Sequence, residues 1–173
     1  MVLRLLGSLA LVALLAAPAS SLSIYHSPGD DGLGGGVFPL GPGTTTINLW
    51  ADPTSAPGNG VFGIQDVPLG SVGGVSITTP FVCGRQPCLV DPTGRKFTAG
   101  DDINGDFAPF KLGSFDVDAV AAGSLNILSG TFLGADFNAG VIQLTTIASF
   151  VPEPSALALL GLGAIALRMG RRR

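Results

Sequence analysis

Cys83 and Cys88 close the hexapeptide C-G-R-Q-P-C and are the two cysteines of the 173-residue chain. The spacing is not C-x-x-C, and a zinc site would have a single histidine to draw on. In an oxidising compartment an even count points to pairing, so a structural disulfide is expected. For so short a closed loop the entropic model gives about 2 kcal/mol. Catalysis of the serine type needs a base beside the nucleophile. The lone histidine, His26, stands in the Gly/Pro-rich stretch 26–43 (HSPGDDGLGGGVFPLGPG), where a solvated loop residue is expected. Asp116 and Asp118 lie at i and i+2 on the outer face of a strand, which suits solubility better than acid–base work. No enzyme activity and no cofactor are expected.

Two further patterns touch ligand chemistry. Asp102-Ile103-Asn104-Gly105-Asp106 carries the alternating oxygen groups that begin a calcium loop, with Asp101, Asp102 and Asp106 as candidate ligands. An EF-hand would want Gly sixth and an acidic residue twelfth, where the chain has Phe107 and Gly113. A turn through Asn104-Gly105 is the preferred reading. Gly58-Asn59-Gly60-Val61-Phe62-Gly63 matches G-x-G-x-x-G, but DPTSAP precedes it and Pro68 follows, so the strand and helix of a dinucleotide site are missing. It reads as a turn.

The elements that must hold these groups lie between two apolar ends. Residues 20–150 form the body, 1–19 and 151–173 the flanks. The body carries Arg85, Arg95, Lys96 and Lys111 against eleven Asp, a net charge of −7. Such a surface repels nucleic acid. The only Glu of the chain, Glu153, lies outside it. With few helix formers and abundant Gly, Thr and Val, the body reads as β structure with many turns.

At the N-terminus, Arg4 precedes the apolar run Leu5–Ala17, and Ala17-Pro18-Ala19 places small residues at −3 and −1 of a cleavage site after Ala19. That is the pattern of a secretory signal peptide. An uncleaved anchor is the competing reading, and the run is short for a span of about 20 residues. Cleavage after Ser21 or Ser23 is a variant. At the C-terminus, Pro152-Glu153-Pro154 interrupts regular structure, Ser155–Leu167 is apolar or small, and Arg168 with Arg171–Arg173 closes the chain. A helix over Ser155–Gly170 would reach about 24 Å against a hydrocarbon core of roughly 30 Å, a marginal span helped by a snorkelling Arg168. The arginines favour the cytoplasmic side, which puts the body outside.

Pro152-Glu153-Pro154, the apolar run and the arginine cluster, in that order behind a signal peptide, resemble the PEP-CTERM sorting signal of exported bacterial proteins. The resemblance covers the tail alone. It implies recognition by an exosortase, a membrane-embedded cysteine transpeptidase-like enzyme, with cleavage near the motif. It further implies a bacterium with an outer membrane and often an exopolysaccharide system. This chain would be the substrate, contributing no catalytic group.

Along the body, strands are expected at Thr44–Ala51, Val61–Val67, Val72–Thr79, Phe110–Val120, Ser124–Phe132 and Val141–Phe150, with a break at Pro68-Leu69-Gly70. Both cysteines fall in Phe81–Val90, and Asp91–Gly105 is polar and turn-rich. Ile47 with Leu49, and Phe115, Val117 with Ala119, mark inward faces. Short strands about ten residues apart suggest an antiparallel β-sandwich, Ig-like or cohesin-like, flanked by a signal helix and a C-terminal hydrophobic helix. FKLGSFDVDAVAAGSLNILSG, after INLWADPT and VFGIQDVPL, resembles cohesin-type and related carbohydrate-associated sandwiches. That likeness rests on hydrophobic pattern and a small-residue turn at Ala121-Ala122-Gly123, not on functional residues. The leading reading is a non-enzymatic envelope or extracellular-matrix protein. The alternative is a polysaccharide-binding module using an exposed aromatic such as Trp50, because most of the ten Phe are needed for the core.

Overall fold

The computed structural model describes residues 21–100 and 106–152. The expected signal helix, the C-terminal helix and the Asn104-Gly105 turn lie outside them. In chain order the strands are β1 (Ser23–His26), β2 (Phe38–Pro39), β3 (Gly43–Asp52), β4 (Val61–Ile77), β5 (Val82–Cys83) and β6 (Cys88–Val90). They continue with β7 (Lys96–Gly100), β8 (Phe110–Ile127), β9 (Thr131–Gly134), β10 (Ala139–Val141) and β11 (Thr145–Phe150). The architecture is an all-β, curled antiparallel sheet. Among the described residues, only the two-residue contact of β2 with β11 is parallel.

β8 organises it. One edge bonds β3 over Phe110–Ala119 and then β11 over Gly123–Ile127. The other bonds β5 at Gly113 and Ser114, then β4 over Val117–Ile127. The sequence justifies this length. Phe115, Val117 and Ala119, and further on Leu125 and Ile127, are two apart and all buried, as the two-residue period of a strand demands. Ala121-Ala122-Gly123 does not turn, as the pattern suggested, but continues the strand. Gly123 is needed there for another reason: a Cβ on it would lie 2.2 Å from the Val72 carbonyl oxygen of β4.

β4 is the second departure. The expected break at Pro68-Leu69-Gly70 is absent, and a single strand runs from Val61 to Ile77. Pro68 falls where the strand changes partners, from β7 and β9 to β8. A missing N–H is tolerated at such a transition. Register shifts at Val61/Gly63 and Ile64/Val67, with Asp66 at φ 52°, turn Val61, Ile64 and Val67 all inward. That three-residue spacing hides the strand from a period-two reading.

The remaining corrections follow the same logic. The polar stretch 91–105 contains β7, whose Phe97 and Ala99 are core residues. The strand expected over Val141–Phe150 is interrupted: Ile142 turns back into the core, and Gln143 and Leu144 are exposed. The stretch 26–43, expected to be a loop, contains β2 and begins on the last residue of β1, which pairs with β3 from Ser23–Asp52 to His26–Leu49. The inward faces of β3 and β8 are as expected, since Ile47, Leu49, Phe115 and Val117 are buried. One continuous core collects these residues, with Phe81 stacked on Phe97 at 4.2 Å.

Candidate functional site

Cys83 and Cys88 are bonded to each other, and no cysteine is free. Their loop is tied at both ends: Gly84 N–H donates to Leu112 O at 2.8 Å and Gly100 N–H to Pro87 O at 2.9 Å. From this loop the Arg85 guanidinium lies 4.7 Å over the Phe110 ring and pairs with the Asp106 carboxylate. Asp106, one of the three calcium candidates, thus has its carboxylate on an arginine, while its backbone bridges Val61 in both directions. Asp101 and Asp102 lie outside the described residues. Among the described residues no three His, Cys, Asp or Glu side chains form a group that could hold a metal ion.

His26 is not a solvated loop residue. It is buried at the end of β1, edge-on to Phe38 with ring centroids 4.5 Å apart. Its Nδ1 accepts from the Asn48 N–H at 3.0 Å. Burial lowers its pKa from the ordinary histidine value, against a smaller raising effect of the Asn48 carbonyl. Trp50 is likewise less available than expected. It is half-buried, its Nε1 donates to Asp30 at 3.3 Å, and its ring packs over Gly32, where a Cβ would lie 2.9 Å away. Lys111 holds the same Asp30 carboxylate at 2.5 Å, which with the Trp50 bond keeps that carboxyl below its usual range. Asp91 is a turn residue. The Thr93 hydroxyl and the backbone N–H groups of Lys96 and Arg95 pull its pKa down to about 2.

The outer faces of the sheet differ sharply in chemistry. Across β3 and β8 the outer face is polar and internally bonded: Thr46 Oγ1 donates to Asp116 at 2.7 Å, beside Asn48, Ser114 and Asp118. Across β6, β7, β4, β9 and β10 it is mostly apolar or neutral, with Leu89 and Val141 exposed and one charged pair, Lys96 with Asp66. A groove of about 370 Å³ runs there, lined by Phe62, Gln65, Thr98, Thr131 and Leu133 and floored in part by Gly63 and Gly100. Phe62 stacks on Phe137, with centroids 5.1 Å apart and planes 25° from parallel. Phe107 lies at the same end, against Gly60.

Sequence reasoning passed over this groove. It assigned the phenylalanines mostly to the core, and seven do pack in it or against it. Phe62, Phe107 and Phe137 do not. A signal was present in G-A-D-F-N-A-G (134–140), where a large aromatic sits among turn formers.

At the C-terminal end, β11 brings Ile147 and Ala148 into the core, and Phe150 pairs with Gly123. Val151 and Pro152 follow directly and are exposed. Glu153 and Pro154 lie outside the described residues, as do Ala17 and Ala19 at the other end. Among the described residues no helix is long and apolar enough to cross a membrane.

The segment 150–173 matches the family model of the PEP-CTERM protein-sorting motif. The chain therefore carries that motif, which indicates an exported protein sorted by an exosortase. No curated protein matches the chain. Among solved structures it is similar to a cohesin module from the family 33 glycoside hydrolase of Clostridium perfringens ATCC13124. The TM-score is 0.47 at 7% identity, covering 78% of this chain and 100% of that one. A likeness of that degree carries no functional argument.

Proposed function

We propose that the protein is an envelope or extracellular-matrix component, delivered in two steps and without catalytic activity of its own. The signal peptide starts translocation and is removed by signal peptidase after Ala19. The C-terminal apolar run then stops translocation, because Arg168 and Arg171–Arg173 resist entering hydrocarbon. The inner membrane holds this intermediate until an exosortase cuts near Pro152-Glu153-Pro154 and passes the body to the envelope or the cell exterior.

The observation that carries this reading is the match over 150–173, starting on the last residue of β11. The last described strand ends on the residue where the sorting segment begins, and Val151 and Pro152 are exposed at that junction. Two prolines flanking Glu153 disfavour helix and ladder hydrogen bonding in the sequence a protease would read. The non-catalytic reading is supported by His26, whose buried ring is engaged with Asn48 rather than with a nucleophile.

Replacing Pro152, Glu153 and Pro154 together by Ala tests it. Export and signal-peptide removal should continue, and an uncut form should accumulate in the inner-membrane fraction. Wild-type processing of the triple variant would overturn the proposal.

A further inference from the structure

We infer that the groove across β7, β4 and β9 is a binding site for a segment of uncharged polysaccharide, with Phe62, braced by the stacked Phe137, as its aromatic surface. This goes beyond the sorting reading and does not depend on it.

The first argument is charge. The body carries a net −7, yet among the described residues every side chain lining the groove is neutral. Charged groups lie just beyond it: Lys96 pairs with Asp66 at 3.0 Å at the bulge of β4. A surface that keeps its charges out of one groove suits a ligand that brings none. An anionic chain would meet the acidic body with no cation among the described lining residues to offset the repulsion. The volume falls at the lower end of the roughly 300–1,000 Å³ typical of ligand sites.

The second argument is the lining. Gln65 supplies an amide, Thr98 and Thr131 supply hydroxyls, and Phe62 and Leu133 supply apolar area. The Asp66 N–H donates to Thr98 Oγ1 at 3.2 Å, which holds that hydroxyl in place. Gly63 and Gly100, opposite each other on β4 and β7, present no side chain, so a ring can approach the backbone. Neutral donors and acceptors around an apolar platform complement a sugar, which has hydroxyls at its rim and C–H groups on its faces. They complement a peptide strand less well, since the backbone groups of these central strands are already in ladders.

The third argument is strain. Four non-glycine residues among those described have positive φ, and three are Asp or Asn, the types that tolerate it. The fourth is Phe137 at φ 60°. The turn around it is fixed by Phe137 N–H to Gly134 O at 2.9 Å and by Asn138 Nδ2 to Asp136 at 2.8 Å. A bulky residue in this conformation is unfavourable, and it is 75% exposed, so the core does not require it. Glycine would serve the turn better. What Phe137 adds is an aromatic ring stacked on Phe62 at the groove's end.

The test is affinity electrophoresis of the full-length chain in detergent, which makes the result independent of where the tail is cut. The gels contain a neutral β-glucan, mannan or galactan, or the anionic alginate. The wild type should be retarded by at least one neutral polysaccharide and not by alginate. Phe137→Gly should keep or raise the melting temperature, because it relieves the positive φ, yet bind at least tenfold more weakly. Gln65→Ala, an exposed change, should weaken binding without altering the fold. The inference is overturned if no neutral polysaccharide retards the protein, if alginate alone does, or if both variants bind like the wild type.

Discussion

β11 and the sorting segment that begins on its last residue obey different rules. β11 is defined by what lies far away in the chain: it pairs with β8, from Thr145 on Ile127 to Phe150 on Gly123, and touches β2 more than 100 positions earlier. Its Ile147 and Ala148 are buried by residues from all over the body. The tail is defined by local order alone, prolines around a Glu, an apolar run, then arginines. A processing enzyme and a bilayer read such a segment as it passes, so its meaning sits in the sequence. The meaning of the body sits in the surface that long-range pairing assembles. Delivery and activity should therefore be separable by mutation.

The largest separation should come from the core. Phe115 is fully enclosed, between β3 and the Phe81–Phe97 stack. Phe115→Ala should cost about 3–5 kcal/mol, seen as a large fall in the denaturation midpoint, while the tail of any exported molecule is still cut at the wild-type position. A shifted cut would show that the exosortase reads the body as well.

A smaller effect belongs to the disulfide. Cys83→Ser with Cys88→Ser removes a closure worth about 2 kcal/mol. The Arg85–Asp106 pair and the Phe110 contact, both presented from this loop, should loosen with it. Chemical denaturation of oxidised and double-variant protein measures the difference, and equal midpoints would show that the loop's backbone ties suffice. Thiol titration of the denatured wild type should find none free.

The smallest effect is the pH dependence of His26. Its folded pKa is lowered, so the unfolded chain binds the proton more tightly. Its contribution is fully present above the unfolded value of about 6.5 and is lost as pH falls from there through the folded value. One proton limits the slope to about 1.4 kcal/mol per pH unit. Asp91, held at about 2, adds its own loss only below the ordinary Asp value of about 3.9. Stability between pH 6.5 and 5 should therefore decline in the wild type and stay flat in His26→Asn.

These elements also mark how far the sequence could be read. β3 and the first half of β8 were legible because Ile47, Leu49, Phe115, Val117 and Ala119 keep a clean two-residue period. β4 was not, because two bulges place Val61, Ile64 and Val67 three apart and Pro68 imitates a break. β1 was missed because four residues preceding a glycine-rich stretch carry too little pattern, and its burial of His26 depends on β3 and Phe38. The disulfide followed from count and compartment. The groove did not, since Phe62, Gln65, Thr98 and Thr131 come from three strands and acquire a common face only through the β4–β7 and β4–β9 registers. Trp50, the aromatic that stands out in the composition, is instead covered by Asp30 and Gly32.

Mass spectrometry of the mature C-terminus tests the central claim most directly. Protein recovered from the cell exterior or outer envelope should end near Pro152-Glu153-Pro154, and the apolar run should be absent. Recovery there of chains that still carry Arg173 would contradict sorting by an exosortase.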